Sequence, residues 1–97
     1  METKTVDSPQ ALVQLLLPNE SQMQQYHPSN IVSWYFRAKV FYDPNTCSCK
    51  KKGMNQQTIE QGYSALVNLP EHEKIALRNL AGGNVTLVLN GVTLGTV

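Results

Sequence analysis

The chain has 97 residues and a formal net charge of +1, from eight Lys and Arg against seven Asp and Glu. A chain of this length supports one modest hydrophobic core, and a charge near zero excludes nucleic-acid binding through bulk positive charge. Only 15% of the residues are charged, and eight Asn and eight Gln supply much of the other polarity. We expect one folded domain over residues 1–97, with a surface whose uncharged amide side chains can hydrogen-bond to a partner protein.

The first predicted element is a helix over residues 9–17. Asp7 or Ser8 can cap its first turn, Pro9 suits the first helical position, and Pro18 ends it. Residues 19–28 are polar and rich in amides, which predicts mainly a connection, with room for one helical turn from Ser21.

A long strand is predicted over residues 29–42, because apolar and mixed positions alternate there. The even positions form a wholly apolar face with Trp34, which we expect in the core with Phe36 and Tyr42. The odd positions form a mixed face that joins aromatic and cationic side chains: Tyr35, Phe41, Arg37 and Lys39.

Two helices and a hairpin complete the predicted order. The helices run over residues 56–68 and from Pro70 to the glycine pair at 82–83. The hairpin covers residues 85–97 around Asn90-Gly91, a pair that favours a type I′ turn. The predicted fold is therefore α+β in the order α-β-α-α-β-β, with a three-stranded antiparallel sheet and a C-terminal hairpin.

This order resembles the winged helix-turn-helix, in which the second of the paired helices enters the DNA major groove. The residues do not favour DNA reading here. The corresponding helix begins Pro70-Glu71-His72-Glu73, so acidic groups would face phosphates. The hairpin tip Asn90-Gly91 also carries no cation to contact a DNA backbone.

The loop around Cys47 and Cys49 is the most unusual local feature. Adjacent side chains point apart in extended backbone, so we expect reduced thiols rather than a disulfide. The two thiols are weak candidates for half a zinc site, but the other usual donors, His27 and His72, do not stand at a zinc-finger spacing. We therefore expect no bound metal and no cofactor.

A cationic stretch at residues 37–52 holds five positive charges against Asp43 alone. Its candidate partner-binding residues are the five cations and the two aromatic residues of the mixed face: Arg37, Lys39, Lys50, Lys51, Lys52, Tyr35 and Phe41. An aromatic and cationic face either stacks nucleic-acid bases or is covered by a helix or by another subunit, and we favour coverage.

Catalytic patterns are scarce. Neither histidine stands in a known nucleophile motif, and no glycine-rich phosphate loop follows a strand. The N-terminus lacks the features of a signal peptide, and no run of 18 apolar residues predicts a membrane span. We expect a non-enzymatic protein made in a reducing cytosol.

Residues 42–52, Tyr-Asp-Pro-Asn-Thr-Cys-Ser-Cys-Lys-Lys-Lys, followed by a helix pair and hairpin, resemble segments of small virion accessory proteins of tailed phages. The resemblance implies a capsid-decorating or connector-type protein in many copies, in the virion or the host cytoplasm. Our functional expectation is a structural or assembly protein that docks on a larger protein complex. The alternative is a small regulatory or inhibitor module that binds nucleic acid or a host enzyme through residues 37–52.

Overall fold

The computed structural model describes residues 2–26, 29–42 and 54–97. Short 3-10 turns at Leu17–Asn19 and Gln24–Tyr26 flank a short helix over Glu20–Met23. The helices and strands are, in chain order, β1 (Thr3–Val6), α1 (Pro9–Leu16), α2 (Glu20–Met23), α3 (Asn30–Tyr42), α4 (Gln56–Val67), α5 (Glu71–Ala81), β2 (Asn84–Leu89) and β3 (Val92–Thr96).

The three strands form one sheet in the order β1-β2-β3. β2 and β3 are the antiparallel arms of the C-terminal hairpin, and β1 pairs with β2 in parallel, with Thr3 opposite Asn84. The α+β class, a sheet of three strands and the C-terminal hairpin are confirmed. The prediction of a fully antiparallel sheet is wrong, because the third strand is β1 near the N-terminus.

The predicted strand over residues 29–42 is also wrong, since this segment is the helix α3. The order α-β-α-α-β-β, on which the likeness to the winged helix-turn-helix rested, is therefore not the order of the described elements. Apolar residues occupy most positions of this segment, so alternation could be found in it although its buried residues follow helical spacing. The Ser29 hydroxyl caps the helix by accepting a hydrogen bond from the Val32 amide at 3.3 Å.

The other helices follow their local signals. Ser8 caps α1 by accepting from the Ala11 amide, and Asn55 caps α4 by accepting from the Thr58 amide. α5 ends at Gly82, whose φ of +78° suits glycine. Pro18 does end α1, but the chain continues through helical turns where a connection was predicted.

The predicted turn is confirmed, with positive φ at both Asn90 (53°) and Gly91 (80°). One hydrophobic core joins the elements. The sheet contributes Val6, Val85 and Leu87, and Val97 follows directly after β3. Each helix except α2, which contributes Met23 alone, adds at least two buried side chains. α1 lies against β1, α5 against β2 and α4 against β3. α3 packs on α1 and α4, and these two helices fix its position in the helical layer.

Candidate functional site

Helix α3 has two contrasting faces. Its inner face is buried in the core and consists of Ile31, Val32, Trp34, Tyr35 and Ala38. Its exposed residues recur at spacings of three and four, which places them on the opposite side of the same helix. We name this second side the outer α3 face and define it as Ser33, Phe36, Arg37 and Val40.

The outer α3 face exposes two large apolar side chains one helical turn apart. Phe36 is 37% exposed and Val40 is 54% exposed. Single exposed apolar residues are ordinary on protein surfaces, but a pair at positions i and i+4 forms a small contiguous patch. Among the described helices, α3 alone exposes two large apolar side chains.

Two cations, Arg37 and Lys39, flank the patch, and one of them is paired. Lys39 makes an ion pair with Glu20 and its ammonium group lies 5.9 Å from the centre of the Phe36 ring. Arg37, exposed between Phe36 and Val40, makes no ion pair among the residues that the structure describes. A guanidinium in that position is available to a carboxylate of a partner.

A shallow depression adjoins the N-terminal end of the outer α3 face. It is lined by Ser29, Asn30 and Ser33 of the α3 start and by Glu73 of α5. The surface therefore has a polarity, with the Glu73 carboxylate near the start of α3 and the Arg37 guanidinium in its second half.

The structure separates the residues that the strand prediction had placed together. Tyr35 is fully buried, so its side chain does not line a partner surface. Arg37 and Lys39 lie about 160° apart around the helix axis, because successive residues of a helix differ by about 100°. Phe41 is half-buried, with its ring centre 6.4 Å from that of Tyr42. The single aromatic and cationic face is therefore not found.

Phe36 and Val40 were missed as surface residues, because the strand pattern placed both on the apolar core face. Phe36 was expected in the core and is exposed instead. A helical reading of the same sequence would have grouped both residues with Arg37, opposite Trp34 and Ala38. The length of the segment was the available signal, since thirteen residues suit a helix better than a strand.

The remaining candidates fall mostly outside the described residues. Cys47, Cys49, Lys50, Lys51 and Lys52 lie there, as do His27 and Asp43. His72 is exposed on α5. Within residues 2–26, 29–42 and 54–97, no group of three or more His, Cys, Asp and Glu side chains is placed to hold a metal ion.

The structure also has no membrane-spanning candidate in its described helices, none of which is both long enough and apolar enough. Comparison of the chain with protein-family models, with curated proteins and with solved structures found no match. The outer α3 face is therefore interpreted from its own chemistry.

Proposed function

We propose that this chain is a non-enzymatic assembly protein that docks on a larger protein complex through the outer α3 face. The observation that supports this most directly is the exposed pair Phe36 and Val40 with Arg37 beside it on the same helix face. Phenylalanine and arginine are both enriched at protein interfaces, and arginine is also enriched among the residues that carry most of the binding energy.

The charge of Arg37 favours a partner different from this chain. If two copies paired their outer α3 faces about a two-fold axis, the axis would pass near residues 36 and 37, at the middle of the face. The two Arg37 guanidinium groups would then lie close together, and this like-charge contact is unfavourable. The outer α3 face is better matched by a different protein, whose surface offers an apolar recess for Phe36 and Val40 and a carboxylate for Arg37.

The proposed role includes the form implied by the resemblance to phage virion accessory proteins, which is a capsid-decorating or connector-type protein present in many copies. An accessory protein of this kind needs a docking surface rather than a catalytic centre. The outer α3 face supplies apolar contact area for affinity and one cation for orientation.

The test is site-specific photo-crosslinking in the cells that make the protein. A photoreactive amino acid replaces Phe36, and in a matched control it replaces Gln61, an exposed residue of α4. We expect one dominant adduct from position 36, in near-stoichiometric amount, that is absent from position 61. Arg37→Glu should reduce that adduct at least tenfold, because it reverses the charge that orients the partner.

The proposal is wrong if position 36 gives no adduct, or if positions 36 and 61 capture the same mixture. A dominant adduct with nucleic acid, or one that is lost when Lys50, Lys51 and Lys52 are replaced by Gln but not in Arg37→Glu, would instead support the module that binds through residues 37–52. Steep salt dependence of that binding would accompany it.

A further inference from the structure

The strand β3 forms one edge of the sheet, and its exposed residues are apolar or hydroxylic. Val92 is 60% exposed and Leu94 is 36% exposed. Charged side chains and prolines are two of the devices that keep edge strands from pairing, and residues 92–97 contain neither. The opposite edge differs, because Glu2 and Lys4 form an ion pair along β1.

Backbone groups of β3 face away from the sheet. Val85 and Val97 exchange both of their backbone hydrogen bonds, at 3.1 and 2.7 Å. Because hydrogen-bonded and non-hydrogen-bonded pairs alternate along an antiparallel ladder, the amide and carbonyl of Thr96 point outward. Leu89 and Val92 are the hydrogen-bonded pair that closes the turn. By the same alternation, the amide and carbonyl of Thr93 also point outward. The edge thus offers hydrogen-bonding groups that a further strand would satisfy.

We propose that the occupant of this edge is β3 of a second copy of the chain, in antiparallel pairing, which would join two sheets into one of six strands. An uncharged strand can meet its own copy without like-charge contacts, unlike the outer α3 face. The pairing also closes at two copies, since each chain contributes the same edge and β1 remains at the outside. It uses a surface separate from the outer α3 face, so either proposal can fail alone.

The dimer should be weak. A bulge lies where Leu87 and Val88 face Gly95 and Thr93, and Leu94 is the extra residue. It shortens the regular part of a five-residue strand, so the buried area falls below the ~1,200 Å² of a standard stable interface. We expect a dissociation constant of about 10 μM to 1 mM, which suits subunits held together on a larger shell.

The test measures mass by sedimentation and light scattering for the purified full chain, over concentrations up to about 1 mM. Leu94 is the middle residue of β3, so a pairing that uses the whole strand places it near its own copy. Leu94→Lys and Leu94→Asp should each raise the dissociation constant at least tenfold. An equimolar mixture of the two variants should recover the dimer, because opposite charges then face each other. Ile75→Lys, at an exposed position of α5, is the matched control and should leave the mass unchanged.

Each variant is accepted only if its unfolding midpoint shows that it folds, and Val92→Lys and Val92→Asp replace the pair if the Leu94 variants do not. A wild-type chain that stays monomeric up to about 1 mM overturns the proposal. So does a dimer that survives both charge substitutions, and so does a dimer that dissociates in Phe36→Ser but not in Leu94→Lys. Failure of the mixture to restore the dimer would also overturn it.

Discussion

Gly62 shows how a single residue sets the packing of α4. A methyl group at this position would lie 2.6 Å from two ring atoms of Trp34, far inside van der Waals contact. The helix accepts the conformational cost of glycine, about 1 kcal/mol relative to alanine, so that the indole ring can lie against its backbone. The close approach that Gly62 permits is therefore that of the Trp34 side chain.

We expect Gly62→Ala to destabilise the protein by about 1–2 kcal/mol, although alanine is the better helix former, because the steric penalty exceeds the gain in helix propensity. Urea denaturation measures this, with Gln61→Ala at the exposed neighbouring position as the control. In a Trp34→Leu background the penalty should shrink or change sign. An equal penalty in both backgrounds would contradict the packing explanation.

Tyr63 is fully buried at the same contact, with its ring 6.4 Å from that of Trp34 in an edge-to-face arrangement. Its hydroxyl has no hydrogen-bond partner among the described residues. Burial raises the pKa of Tyr63, and the negative charge of Asp7 raises it further, with a smaller contribution from Tyr42. The folded chain therefore keeps this phenol protonated at a pH where the unfolded chain does not.

The pH dependence follows from that difference. An unfolded tyrosine loses its proton near pH 10, so above that pH the unfolded state binds fewer protons than the folded state. The free energy of unfolding should then fall as pH rises above about 10, and part of the fall should disappear in Tyr63→Phe. At pH 7 the same variant should be neutral or more stable by up to about 1 kcal/mol, since it removes an unpaired buried hydroxyl. Urea denaturation from pH 7 to 11 is the measurement, and identical slopes for the two proteins would contradict it.

At the scale of elements, α3 is where local pattern and tertiary structure disagree most. The segment combines β-branched and aromatic residues that favour strands with a length that favours a helix. Its inner residues fill the core between α1 and α4, and its cap at Ser29 satisfies an amide of the first turn. The helical state therefore wins through burial and capping rather than through intrinsic propensity.

We expect Ser29→Ala to cost about 1 kcal/mol of stability, because it removes the side-chain acceptor at the start of α3. Ser33→Ala, at an exposed position of the same helix, should be neutral or raise the stability by a few tenths of a kcal/mol. Thermal and urea denaturation of both variants measure the difference. A larger loss of stability in Ser33→Ala than in Ser29→Ala would contradict a helix that begins at the Ser29 cap.

At the scale of the whole molecule, the fold depends on a contact between distant parts of the chain. β1 lies beside β2 although more than 70 residues separate them, and the Asn84 amide donates to the Glu2 carbonyl at 2.9 Å. Gly83 permits this approach, since a methyl group there would lie 2.1 Å from the Glu2 carbonyl oxygen. The absence of a side chain at residue 83 therefore decides whether the parallel strand can join the sheet.

We expect Gly83→Ala to cost about 2–3 kcal/mol and to speed amide hydrogen exchange along β1. Gly82→Ala is a close control, because it meets nothing within 4 Å and bears only the strain of its φ of +78°, about 1–2 kcal/mol. Only the first substitution should change exchange in β1. Equal exchange rates in the two variants would show that the approach of Glu2 does not hold β1 in place.

The sequence by itself determined the features whose cause is local. Ser8 before Pro9, the glycine after α5 and Asn90-Gly91 between two apolar runs each act within a few residues, so α1, α5, the hairpin and the α+β class were predictable. Such signals work because capping and turn geometry depend on the chain neighbours alone.

Only the tertiary structure decided the role of β1 and the orientation of α3. The four residues of β1 are too few to show a period, and their partner lies at the other end of the chain. A segment that is apolar on nearly every side, such as α3, does not specify which residues face inward until neighbouring helices cover one side of it. That coverage buried Tyr35 and exposed Phe36 beside Arg37, which is why the candidate surface emerged from packing rather than from pattern.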